Sequence, residues 1–215
     1  MTVRALTAAT LLLAFALAAT NGSAAAAPAS PAIGGPLRFV IVPGESQVIY
    51  RVGEVFINQG NRFNIAVGTT NAIRGEVQID RANPKNSRIG PITVDISRFQ
   101  SDSARRDNAI RDRWLESSRF PTAEFTPTAI EGLPETYTDG RELTLQVTGN
   151  LKIREVTRPT TFAVTLRLQG SAVTGAGTTT IRMTDFGFDP PSIFGLLRAE
   201  NEAKLEFRFV ARPGQ

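Results

Sequence analysis

The 215-residue chain carries 24 Lys and Arg against 20 Asp and Glu, a formal charge of +4, and has neither histidine nor cysteine. The length suits one domain with a sizeable core, while the missing residue types exclude disulfides and remove most nucleophile–base pairs and the usual zinc and haem ligands. The basic excess is scattered, with no Lys/Arg block interleaved with aromatics, which argues against a nucleic-acid partner.

Residues 1–27 read as a secretory signal. Arg4 supplies the charged start, residues 6–19 the apolar run and the Ala-rich stretch 24–27 the small-residue cleavage sites. That run is shorter than the roughly 20 residues a membrane-spanning helix needs. The expectation is an exported protein, periplasmic or extracellular, held together by its core because no disulfide is available. Residues 28–36, rich in Pro, Ala and Gly, form a flexible lead-in. No later linker divides the chain, so a single domain is expected over 37–215.

From residue 37 onward, alternation of apolar and polar residues predicts strands. Leu37, Phe39 and Ile41 open the series, closed by Pro43-Gly44, and Val48, Tyr50 and Val52 follow. Residues 58–71, rich in Gly and Asn, read as irregular. Ile73, Gly75, Val77 and Ile79 then line one face of the cleanest strand, with Arg74, Glu76, Gln78 and Asp80 on the other. Asn83-Pro84-Lys85-Asn86 reads as a turn, and Ile92, Val94 and Ile96 lead into residues 101–115, the one convincing helix. Asp102 and Ser103 are its candidate N-caps. Ile110 and Trp114 share a face, and Asp102–Arg106 and Asp107–Arg111 sit at ion-pair spacing. Pro121 ends the helical run.

Beyond it, Ala123 and Phe125 begin a strand in which Pro127 predicts an irregularity, and Asp139-Gly140 is a tight-turn candidate. Leu143 through Ile153 alternate over a long strand. Phe162, Val164, Leu166 and Leu168 make the next, and residues 178–183 with Leu205, Phe207 and Phe209 complete the set. Half-apolar strands joined by short turns predict an all-β antiparallel barrel or sandwich. Gly75 and Gly149 on the apolar face favour an eight-stranded barrel, since glycine there permits coiling or leaves room inside. Such a barrel is either filled by its own side chains or holds one small ligand, and alternation does not say which.

Five ordered pieces carry a family resemblance. They are Ser46-Gln47-Val48-Ile49-Tyr50-Arg51-Val52, Ile73-Arg74-Gly75-Glu76-Val77-Gln78-Ile79-Asp80, the block from Arg106-Asp107 through Trp114-Leu115 to Phe120-Pro121-Thr122-Ala123-Glu124-Phe125, Val147-Thr148-Gly149-Asn150-Leu151-Lys152-Ile153 with Val156-Thr157-Arg158-Pro159, and Asp185-Phe186-Gly187-Phe188. Together they resemble the YceI-like proteins, the lipocalin-like polyisoprenoid-binding family. The resemblance implies an exported, extended eight-stranded antiparallel barrel with an inserted amphipathic helix. It implies a long-chain isoprenoid or similar amphiphilic lipid inside, and no reaction, cofactor or metal. Family members often carry histidines where this chain reads Gly53-Glu54 and Asn150-Leu151-Lys152-Ile153-Arg154-Glu155. The loop Pro190-Pro191-Ser192-Ile193-Phe194-Gly195-Leu196-Leu197 is more apolar than the resemblance leads one to expect.

The expected ligand-binding residues are Tyr50, Val52, Phe99, Ile110, Trp114, Phe125, Val147, Phe162, Phe186, Phe188 and Phe194. Arg105 and Arg106 are candidates for an anionic head group, set against pairing with the acidic residues of their own helix. The partners expected are an isoprenoid or other long-chain lipid, a membrane in transient contact and a second copy in a homodimer. The competing reading is an interaction module whose packed barrel only displays loops to a membrane or protein. A third is an enzyme using Glu54, Asp95 or Asp185 with Tyr50 as acid–base groups, for which nothing in the spacing calls.

Overall fold

The computed structural model describes residues 35–214, so the expected signal over 1–27 and all of the expected lead-in before residue 35 lie outside the described residues. The alternating stretches form thirteen strand segments in one antiparallel sheet. The first seven are β1 (Leu37–Ile41), β2 (Gln47–Phe56), β3 (Arg62–Thr70), β4 (Ile73–Arg74), β5 (Glu76–Ile79), β6 (Arg88–Ile89) and β7 (Ile92–Asp95). After the helix come β8 (Thr122–Glu131), β9 (Glu142–Ile153), β10 (Val156–Gln169), β11 (Ala172–Arg182), β12 (Ser192–Ile193) and β13 (Leu197–Pro213).

The sheet curls into a barrel, with a strand count that differs from the eight expected. The pairing path runs β4-β7-β8-β9-β10-β11-β13-β1-β5-β6, and β4 at one end and β5 next to the other are separated in the chain by Gly75 alone. The strand expected to run unbroken over 73–79 changes partner there. Ile73 pairs with Val94, whereas Val77 pairs with Phe39 and Ile89. The Gly75 carbonyl accepts from the Ile41 amide at 3.0 Å, which joins the two halves of the circuit. The β2–β3 hairpin is added beside the amino-terminal half of β13, with β1 on the same side of its carboxyl-terminal end. Residues 62–70, read from sequence as irregular, are β3. Their Gly and Asn mask an alternation carried by Phe63, Ile65 and Val67. Pro127 does produce the expected irregularity, a register shift against β9 between Pro127 and Ala129.

The helix is α1 (Ala104–Ala109), continued by a π-helical turn over Ile110–Trp114. Ser103 is its cap, with Oγ accepting from the Arg106 amide at 3.3 Å. Asp102 pairs with Arg106 as the spacing predicts, but Asp107 does not pair with Arg111. The buried Asp107 carboxylate instead accepts from the Ser101 amide at 3.0 Å and hydroxyl at 2.6 Å. These donors are already fixed by the turn before the helix, so the carboxylate is satisfied without ordering a long side chain. Arg111 donates to the Phe99 carbonyl at 3.1 Å and to Asn108. Arg154 secures the other end of the helix. It sits with φ +56° in the β9–β10 turn, donates to the Trp114 carbonyl at 3.3 Å and pairs with Glu116.

The lumen is packed at one end. Phe39, Ile41, Leu168, Val173, Phe209 and Ala211 form a closed apolar cluster there. A chain of aromatic contacts leads away from it: Phe209 stacks on Phe207 at 5.6 Å, then come Phe162 at 5.7 Å and Phe125 at 4.9 Å. Glycine seats these rings. Tyr50 lies opposite Gly68 and Phe207 opposite Gly177, and a β-carbon on either glycine would meet the facing ring at 2.2 or 2.1 Å. Part of the room that glycine leaves on the inner face is thus taken by aromatic rings.

Candidate functional site

At the helix-bearing end the lumen stays open as a cavity of about 510 Å³. Pockets that take small organic molecules fall in this range. Its walls come from β2, β7, β8, β9 and β13, and the helix covers one side with Ala109, Ile110 and Trp114. The floor is the aromatic chain of Phe125, Phe162 and Phe207, below which Leu145, Val147 and Val164 close the interior. The lining is overwhelmingly apolar, and such a surface holds a hydrocarbon by burial and dispersion alone, at about 0.8 kcal/mol per methylene.

Of the residues expected from sequence to touch a ligand, Tyr50, Val52, Phe99, Ile110, Trp114, Phe125, Phe162 and Phe188 line this cavity. Three do not. Val147 lies beneath the floor, in the packed part of the barrel. Phe186 is 2% exposed: the 3₁₀ turn over Met183–Phe186 sends Met183 to the cavity and packs Phe186 into the surrounding core. Phe194 is at the tip of a tight turn closed by the Leu196 amide on the Ile193 carbonyl at 2.9 Å, and is fully exposed. Ile92, Val94, Ile96, Ala203 and Leu205 line the cavity and were missed individually. Alternation identifies an inward face but not the height along the barrel at which packing stops.

The expected anionic-head-group residues take different positions. Arg105 is exposed at the cavity, whereas Arg106 is committed within the protein, to Glu54 at 2.8 Å and to Asp102. Of the three carboxylates considered as acid–base groups, only Glu54 lines the cavity. Asp95 accepts from the Ser97 amide at 3.0 Å, capping a 3₁₀ turn, and Asp185 is exposed and outside the lining. No group of three or more metal-ligating side chains occurs among the described residues.

Comparison with known proteins decides the family. A model of the YceI-like domain matches residues 39–211, from β1 to the end of β13. The chain belongs to the YceI-like domain family. A UPF0312 protein of Pseudomonas putida strain W619 is 30% identical over an alignment of 131 positions that covers 58% of this chain and 64% of that one. The chain thus spans just under two thirds of the curated relative's length. Among solved structures, Burkholderia cenocepacia BcnA superposes with a TM-score of 0.59 at 19% identity, covering 79% of this chain and 98% of that one. A polyisoprenoid binding domain from Saccharophagus degradans, implicated in plant cell wall breakdown, gives 0.61 at 10% identity, over 83% and 99% of the two chains. At these identities the likeness is one of fold.

In this YceI-like barrel the lining includes polar groups, among them Asn58, Ser103, Glu124 and Glu206, and two more stand on β2. Tyr50 and Glu54, four residues apart on one strand face, point the same way as Val52 and Phe56. The Glu54 side chain is almost wholly buried, and its Oε1 accepts from Asn64 Nδ2 and Arg106 Nη2, each at 2.8 Å. Tyr50 packs edge-on against Phe99 at 5.2 Å. Its phenol is pushed up to about 12, first by burial and then by the Asp107 carboxylate, with Arg106 opposing. The folded state therefore holds the Tyr50 proton more tightly than the unfolded chain does. The corresponding stability is complete below the ordinary tyrosine value near 10 and is lost as pH rises from there to about 12. Urea midpoints measured at pH 9 and pH 11.5 should therefore fall more steeply for the unmodified protein than for Tyr50→Phe. Equal falls would remove the phenol from the account.

Proposed function

We propose that this protein is an exported, non-enzymatic carrier that takes the chain of a polyisoprenoid or similar amphiphilic lipid into its barrel. The observation that supports this most is the open apolar cavity between the aromatic floor and the helix, in a barrel whose other end is fully packed. A domain that only displayed loops would gain stability by filling that volume, since unfilled apolar space forfeits contacts. The polyisoprenoid binding described for the Saccharophagus degradans domain supports the choice of lipid class.

Transient membrane contact belongs to the same reading. Ile57, Ile193, Phe194 and Leu196 are exposed where β12 and β13 meet the end of β2, and Ile193 and Leu196 also line the cavity. Phe63 and Ile65 extend the exposed apolar surface along β3. Arg62 stands over the Phe56 ring at 5.3 Å, so a cation borders this surface. Exposed apolar patches of this kind mark interaction sites, and one that runs into the cavity lets a lipid pass from bilayer to barrel without crossing water.

The test is native mass spectrometry of the purified protein before and after incubation with vesicles carrying a polyprenol. A lipid adduct is expected, and Phe194→Ser should slow loading from vesicles while leaving loading from detergent unchanged. Bare protein mass under every condition would remove the carrier reading. Equal loading rates from vesicles would remove the membrane step.

A further inference from the structure

Within the carrier reading, we propose that the polar patch on β2 selects a lipid whose head is uncharged and ends in a hydroxyl, in preference to one ending in phosphate. Glu54 carries the argument. Both of its hydrogen bonds, from Asn64 and Arg106, arrive at Oε1. Among the described residues none reaches Oε2, yet no buried side-chain oxygen lacks a partner, so Oε2 is accessible on a residue that lines the cavity and is only 3% exposed. It is an acceptor opening onto an apolar space. When a lipid displaces water there, that oxygen needs a donor or it carries the desolvation cost of an unsatisfied buried acceptor, even though the carboxylate's charge is paired with Arg106. A hydroxyl supplies one; an ether or a hydrocarbon end does not.

Phosphate is disfavoured by the same geometry. Arg106 is the cation nearest Glu54, and its guanidinium is already divided: Nη2 donates to Glu54, and Nη1 to Asp102 and to Ser101 Oγ, the latter at 3.2 Å. A phosphate placed here would face the Glu54 carboxylate with no free guanidinium to offset its charge. Arg105 is free of carboxylate partners among the described residues, but it is exposed at the edge and not part of the Glu54 network. The Tyr50 ring lines the same cavity, with its hydroxyl laid over Gly68 and without a hydrogen bond among the described residues.

Trp114 is the chain's single tryptophan and lines the cavity, so its fluorescence reports occupancy directly. Titration of the whole exported domain with farnesol, farnesyl methyl ether and farnesyl monophosphate compares one tail under three heads. Farnesol should bind roughly tenfold tighter than the ether, as expected for a hydrogen bond to a charged acceptor, and tighter than the monophosphate. Glu54→Gln should erase most of the alcohol-over-ether preference and, by releasing Arg106, raise affinity for the monophosphate. Ether binding as tightly as alcohol, or monophosphate binding tightest to the unmodified protein, would overturn the selectivity while leaving the carrier intact. Failure of all three to bind would overturn both. The three-lipid series on the unmodified protein keeps the comparison decisive should Glu54→Gln not fold.

Discussion

Replacing Arg106 by methionine is expected to lower the unfolding free energy by about 3 kcal/mol, the low end for breaking a buried ion pair. The Glu54 side chain is 4% exposed and that of Arg106 17%, so removing the guanidinium strands a carboxylate that keeps only Asn64 as a donor. The low end applies because Glu54 borders an open cavity from which water still reaches it. Methionine retains most of the apolar stem, so lost packing contributes little. The double replacement Glu54→Leu with Arg106→Met should recover most of the loss, since a well-packed apolar pair avoids the desolvation that the ion pair must offset. Urea unfolding of the single and double variants measures both. A single variant as stable as the parent would show that the pair is solvated and not part of the buried wall.

Replacing Ala203 by phenylalanine is expected to cut lipid loading at least tenfold with the fold intact. Ala203 is 6% exposed, pairs across the sheet with Val52 and Ile181, and lines the cavity. A ring on this β-carbon projects into volume that is already empty, so the cost should fall at or below the low end of the about 1–3 kcal/mol of overpacking a filled core. Binding suffers instead, because the ring occupies what the lipid tail would fill. Native mass spectrometry for adduct and urea unfolding for stability separate the two effects. Undiminished loading would place the lipid outside this cavity, and a severe loss of stability would mean that this part of the lumen is filled.

The two ends of the barrel show how far alternation reads. Phe39, Val164 and Phe209 at the packed end follow the same inward alternation as Tyr50, Val52 and Phe162 at the open one. The helix was legible because a serine cap and a proline stop bracket an amphipathic run, and both act on neighbouring backbone. The Asp107–Arg111 pair failed because a local rule of spacing was overridden by two donors from Ser101, already in place. β3 was hidden because its inward positions include Ala66 and Gly68, which give little apolar signal.

The order of apolar and polar residues by itself determined that this chain forms inward-facing antiparallel strands with one inserted helix, and which family it resembles. Both follow from local periodicity and short motifs, in which each residue's role depends on its near neighbours. Only the tertiary structure decided where the lumen is empty, that Glu54 and Arg106 meet across 52 positions of sequence, and that Phe194 faces outward. Those depend on how the closed circuit sets distant strands at the same height, where a glycine opposite an aromatic ring settles whether space is filled or left for a guest.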